Sequence, residues 1–173
     1  ESFAFTDDGP VVSTPPSATV NETGLRTSGD TLVVTRDLNI NVGADREAGP
    51  VGVAFDAPQT ALAALGLSSG GVALTYAVTD GLITASAGGA EVFTVALTQP
   101  TAGNGYQTSY TYTQSAVLDH GDVATPLEEL DLGFAFTVTD GDGDTAAGTF
   151  AVKVIDDVPT AEDNVAEVAE SGV

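Results

Sequence analysis

At 173 residues with 42% apolar content the chain can bury one ordinary core, so a single domain with linker segments is the expected organisation. Its 25 acidic against 4 basic residues give a formal net charge of −21, which argues against nucleic acid or an anionic membrane surface as a partner, since both need a cationic face. Without cysteine there is neither disulfide nor thiolate chemistry, and a secreted domain of this composition would take its staples from metal ions. No apolar run approaches the roughly 20 residues that span a bilayer, so membrane insertion is not expected. Residues 1–10 hold no signal pattern, and any export signal is expected outside this sequence.

Thr, Val, Tyr and Phe alternate with small or polar residues over short stretches separated by Gly, Asp and Pro. That pattern predicts strands near 11–20, 31–42, 51–55, 72–78, 82–87, 91–98, 106–113, 131–139 and 147–155. Pro58 to Gly66 predicts one or two helical turns, opened by Pro and closed by Gly, with Leu62 and Leu65 covering one end of the core. Asp80-Gly81 between Tyr76–Thr79 and Leu82–Thr84 suits a twisted hairpin. Tyr106, Tyr110 and Tyr112 alternate in one predicted strand; Tyr110 and Tyr112 share a face, which favours packing over a sugar platform.

His120 is the only histidine, with no second His at zinc spacing and no Gly-x-Ser-x-Gly pattern in the chain. It is expected to be a loop residue making local hydrogen bonds, and no enzymatic activity is expected. Glu128, Glu129 and Asp131 are expected at a solvated edge, a further calcium ligand being the alternative. Phe134 to Thr139, the turn Asp140–Asp144, and Phe150 to Val154 form a second predicted hairpin, in which Phe134 and Phe136 share one face. Short strands at regular spacing with turn signals predict an all-β fold, an immunoglobulin-like antiparallel β-sandwich with an extra hairpin from residues 72–98 and one short helix.

One junction occurs twice. Asp7-Asp8-Gly9-Pro10 followed by Glu22 is matched by Asp156-Asp157-Val158-Pro159 followed by Glu170, the Asp pairs lying 149 residues apart. This predicts a tandem array: residues 1–8 as the tail of a preceding unit, 9–157 as one sandwich unit, and 158–173 as linker and the start of the next.

Asp140-Gly141-Asp142-Gly143-Asp144 is the densest candidate site. Carboxylates at alternate positions, with Gly permitting tight turns, can curl round a hard cation, and oxygen ligands suit Ca²⁺. An EF-hand is excluded, because the twelfth position counted from Asp140 is Ala151 where a Glu would be needed. The bland alternative is an acidic turn without metal, but three carboxylates in five residues repel unless something positive sits among them. If 147–155 is the last strand, the loop before it lies at the end where the chain enters. Asp7, Asp8 and Glu22 are then expected to join Asp140, Asp142 and Asp144 as calcium ligands, and Asp156 and Asp157 to repeat the arrangement toward the next unit. A bridging cation would stiffen the joint.

Val53-Ala54-Phe55-Asp56, Leu118-Asp119-His120, and Phe134 through Asp144 to Asp156-Asp157-Val158-Pro159 together resemble the tandem repeats of large RTX adhesins exported by bacterial type I secretion. The likeness spans about residues 9–159, although the Gly-Gly-x-Gly-x-Asp nonapeptide is absent. It implies a calcium-dependent extender of an extracellular cell-surface adhesin, monomeric as an isolated unit, with neighbouring repeats as partners, serving attachment or biofilm formation. The alternative is a glycan- or surface-binding module of the same kind of protein.

Overall fold

The computed structural model describes residues 8–121 and 128–156. Its spine is a long hairpin of β11 (Glu129–Thr139) and β12 (Thr145–Ile155), paired antiparallel from Glu129 opposite Ile155 to Thr139 opposite Thr145. Strict period-two alternation explains it: Leu132, Phe134, Phe136 and Val138 on one strand and Phe150, Val152 and Val154 on the other turn inward and are buried. β5 (Gly52–Phe55) flanks β11 antiparallel, and β2 (Ala18–Asn21) flanks β12 in parallel, completing a four-stranded sheet.

The second sheet has six strands in the order β3-β10-β9-β8-β7-β6. These are β3 (Leu32–Asp37), β6 (Ser68–Ser69), β7 (Val72–Val78), β8 (Leu82–Ala87), β9 (Ala90–Thr98) and β10 (Ser109–Gln114). Aromatic rings from both sheets meet between them. Phe150 stacks on Tyr110 with centroids 3.9 Å apart and on Phe134 at 5.2 Å, while Phe93 lies edge-on to Phe134 and 5.3 Å from Tyr112. Each such pair adds about 0.5–1.5 kcal/mol beyond area burial. The fold is an all-β sandwich, as the alternation predicts, and Tyr110 and Tyr112 are core residues on one face.

Several details differ from expectation, each for a local reason. Residues 11–20 form two strands, β1 (Val11–Val12) and β2, because Pro15 and Pro16 cannot donate to a ladder. Residues 31–42 break into β3 and β4 (Ile40–Asn41) at Asn39, whose φ of 52° is left-handed and whose N–H is taken by the Asp37 side chain. β1 and β4 pair as a separate ribbon. The sheet is not purely antiparallel, since β2 runs alongside β12 in the same direction. The extra hairpin expected from residues 72–98 is the three-stranded meander β7-β8-β9 over those same residues, with β6 added at its edge. Tyr106 lies outside β10, at φ 59° after a turn capped by Thr101 and Asn104, and its ring sits beneath Arg46. The short helix α1 (Thr60–Ala64) buries Leu62 but leaves Leu65 exposed. Gln59 anchors it: its amide donates to the Ala135 carbonyl at 2.8 Å and accepts from the Ala135 N–H at 2.9 Å.

Candidate metal centre

The β11–β12 connection is the acidic hairpin. Asp140 is only 1% exposed, and its Oδ1 accepts the N–H groups of Gly143 at 3.1 Å and Asp144 at 2.8 Å, while Gly143 takes the left-handed φ of 104° that the turn needs. These bonds draw the loop round so that one carboxylate oxygen from each of Asp140, Asp142 and Asp144 lies within 4.8 Å of the others. The other oxygen of Asp140, Oδ2, is buried with no hydrogen-bond partner. A buried carboxylate oxygen without a donor, beside two further carboxylates, is destabilising unless a cation meets it. Asp142 and Asp144 are exposed, which leaves room for water in the coordination shell of a hard ion. The donor set, all oxygen, fits Ca²⁺.

The wall of this end is the turn at Asp45–Glu47. Gly141 packs so closely on it that a Cβ there would run into the Asp45 carbonyl oxygen and come within 2.8 Å of the Gly49 nitrogen. The incoming segment arrives at the same place. Asp8 Oδ2 accepts the Ala44 N–H at 3.3 Å, and a Cβ on Gly9 would lie 3.4 Å from Asp144 Oδ2. Asp8 is therefore at the expected end of the sandwich. Asp7 and Asp157 lie outside the described residues.

Glu22 is elsewhere, and the expected convergence with Asp140–Asp144 is corrected. Because β2 runs parallel to β12, with Asn21 opposite Ile155, Glu22 emerges at the far end of the sandwich beside Asp156. There it is buried. Its Oε1 accepts the Leu118 N–H at 2.8 Å and the Gln114 side-chain amide; its Oε2 lies 3.2 Å from His120 Nε2. Gln114 in turn donates to the Ala116 carbonyl and accepts from the Tyr112 hydroxyl at 3.1 Å. Burial pushes the Glu22 carboxyl up from its ordinary value, against the opposing pull of the Leu118 and Gln114 hydrogen bonds and the neighbouring His120.

His120 is a loop residue, as expected, but its bond is not local. Its side chain is 4% exposed and reaches a partner 98 residues away in sequence. Together with Glu22 and Asp156 it forms a second group of ligand-type atoms within 4.8 Å of one another. Gln114 and Tyr112, the supports of that group, carry no distinguishing sequence signal beyond the alternation of β10. Asp119 faces the other way and accepts the Gly70 and Gly71 N–H groups at 2.8 Å each, capping the β6–β7 turn. Glu129 pairs with Lys153 and Asp131 is exposed, in keeping with a solvated edge.

No curated protein and no solved structure matches the chain. A family model described as a domain of unknown function, DUF5801, matches residues 17–153, which run from just before β2 to within two residues of the end of β12. The chain belongs to that family of domains.

Proposed function

We propose that the chain is a calcium-binding extender of a bacterial cell-surface adhesin, a non-enzymatic spacer stiffened by Ca²⁺ where successive units join. The observation that carries this reading is the Asp140 side chain, buried, with one oxygen unpartnered and two further carboxylates beside it. Asp140, Asp142 and Asp144 would hold the ion, which supplies charge neutralisation to a cluster that otherwise repels itself. The entering segment at Asp8 and Gly9 reaches the same loop, so ordering the loop also orders the chain that leads into the domain. The repeated Asp-Asp-x-Pro junction supports neighbouring units as partners, and weak oxygen-rich sites with Kd of roughly 10⁻⁴ to 10⁻³ M suit an extracellular setting. Calorimetric titration tests it. Calcium should bind saturably, and Asp142→Ala, at an exposed position, should weaken that binding while the sandwich stays folded; an unchanged isotherm refutes the assignment.

One feature favours a second reading, the ligand-binding module. A cleft of about 520 Å³ is lined by Asn41, Arg46, Glu47, Tyr106 and Gln107, with the Arg46 guanidinium 5.3 Å from the Tyr106 ring centroid. An aromatic face beside polar groups suits a saccharide. Saturable glycan binding lost in Tyr106→Ala would favour this reading over a pure spacer.

A further inference from the structure

We propose that residues 166–173 are a second copy of the strand that lies parallel to β12, and that they fill that strand's place in a second copy of this chain, joining units head to tail. Ala18-Thr19-Val20-Asn21-Glu22-Thr23-Gly24-Leu25 is answered by Ala166-Glu167-Val168-Ala169-Glu170-Ser171-Gly172-Val173: Ala, Val and Glu recur at alternate positions, then Ser-Gly-Val follows where Thr-Gly-Leu stands. The structure shows what the shared positions do. Ala18, Val20 and Glu22 face inward and are 0%, 7% and 1% exposed, whereas Thr19 and Asn21, which differ, face outward. Glu22 locks the strand in place. Its carboxylate accepts the Leu118 N–H at 2.8 Å and the Gln114 side-chain amide, and its other oxygen lies 3.2 Å from His120 Nε2. The Asn21 cap on the Thr23 N–H, at 2.9 Å, has no counterpart, because Ala169 stands there.

Pairing to β12 uses backbone groups and the core face uses every second side chain, so a strand with the same inward set fits the same place whatever its outward residues. The approach to β2 is likewise held through the backbone. The Tyr110 hydroxyl donates to the Pro16 carbonyl at 2.8 Å, and Asn164, at the matching position, supplies the same group. The second copy of the chain is the partner because of reach: a parallel strand is joined by a crossover of a dozen or more residues, and residues 156–165, between β12 and Ala166, number ten. In the new place Glu170 takes the bonds that Glu22 makes. The resident β2 competes, since its short connection to β3 gives it an effective concentration of about millimolar. Exchange is therefore populated when the chain itself reaches that concentration, or when the resident strand is weakened. The contact is heterologous, tail to sandwich, and its repetition builds an open row rather than a closed pair. It needs no ion and does not depend on the calcium reading.

The sequence has no cysteine, so one introduced thiol per chain reports one contact. Lys153 stands opposite Thr19 in the parallel register, and Glu167 is the counterpart of Thr19. Full-length Lys153→Cys and full-length Glu167→Cys are mixed in EDTA at about 1 mM chain and oxidised, and the mixed disulfide dimer is counted by mass spectrometry. Ala161→Cys, outside the repeated element, replaces Glu167→Cys to set the background. Neighbouring strands hold their Cα atoms at disulfide distance, so the proposal expects trapping severalfold above that background. Adding Glu170→Ala to the donor leaves the resident strand and its lock intact and should cut the yield about tenfold, while Glu22→Ala in the acceptor should raise it. A yield equal to the background, or one that Glu170→Ala leaves unchanged, overturns the proposal. Because EDTA is present throughout, the calcium reading stands or falls separately.

Discussion

Asp140→Asn should abolish the stabilisation by calcium. Asn retains an oxygen to accept the Gly143 and Asp144 N–H groups, so the turn closes as before, but it removes the buried charge whose second oxygen has no partner. The amide nitrogen that replaces Oδ2 can donate to the neighbouring Asp142 or Asp144 carboxylate, so an unsatisfied atom that costs about 1–3 kcal/mol gains a partner. In EDTA the variant should therefore be at least as stable as the parent, an unusual outcome for a substitution at a buried position. Calcium should help only the parent. With a Kd of about 10⁻⁴ to 10⁻³ M, about 10 mM Ca²⁺ stabilises a binding-competent fold by about 1.4 to 2.7 kcal/mol. For a domain of this size that corresponds to a rise in Tm of about 3–11 °C. Differential scanning calorimetry of both proteins, with EDTA and with calcium, gives the four values needed. Equal calcium-induced shifts in the two proteins, or a variant much weaker than the parent in EDTA, would refute the reasoning.

Phe150→Ala removes the ring stacked on Tyr110 and Phe134 and should cost about 3–5 kcal/mol by urea unfolding, with or without calcium, because the core is remote from the acidic loop. Tyr112→Phe leaves the Gln114 side-chain oxygen without its donor and should cost about 1–3 kcal/mol near neutral pH. Burial holds the Tyr112 phenol well above 10 in the folded chain, so above pH about 10 the unfolded chain loses its proton first and stability falls as pH rises. Urea midpoints across that range should fall less steeply in the Phe variant; Tyr76 and Tyr110, also raised by burial, keep part of the slope. Gly141→Ala drives a Cβ into the Asp45 carbonyl and should destabilise by about 1–3 kcal/mol and weaken calcium binding, as titration would reveal.

What the sequence made legible was local. The alternation in 131–139 and 147–155 predicts a hairpin with Phe134 and Phe136 on one face, and Asp-Gly-Asp-Gly-Asp predicts a tight acidic turn; the fold has both, and that face is the buried one. Pairing direction is a different matter. Nothing in Ala18–Asn21 records that it will lie parallel to β12, yet that one choice moves Glu22 from the entry end to the exit end. His120 looked isolated because its partner is 98 residues away, and a contact of that range exists only once β2 and β10 are assembled. The breaks at Pro15-Pro16 and Asn39 had recognisable chemistry, but apolar residues on either side masked them. Tyr106 shows the reverse error: alternation with Tyr110 and Tyr112 suggested a strand, whereas the capped Thr101–Asn104 turn ends with Tyr106 in left-handed conformation.

Small-angle X-ray scattering from two consecutive copies of the unit, in EDTA and then in calcium, tests the joint itself. The account predicts a longer maximum dimension and the profile of a straight rod in calcium, and a broad distribution of shorter distances in EDTA. Profiles that superimpose in the two conditions would contradict it.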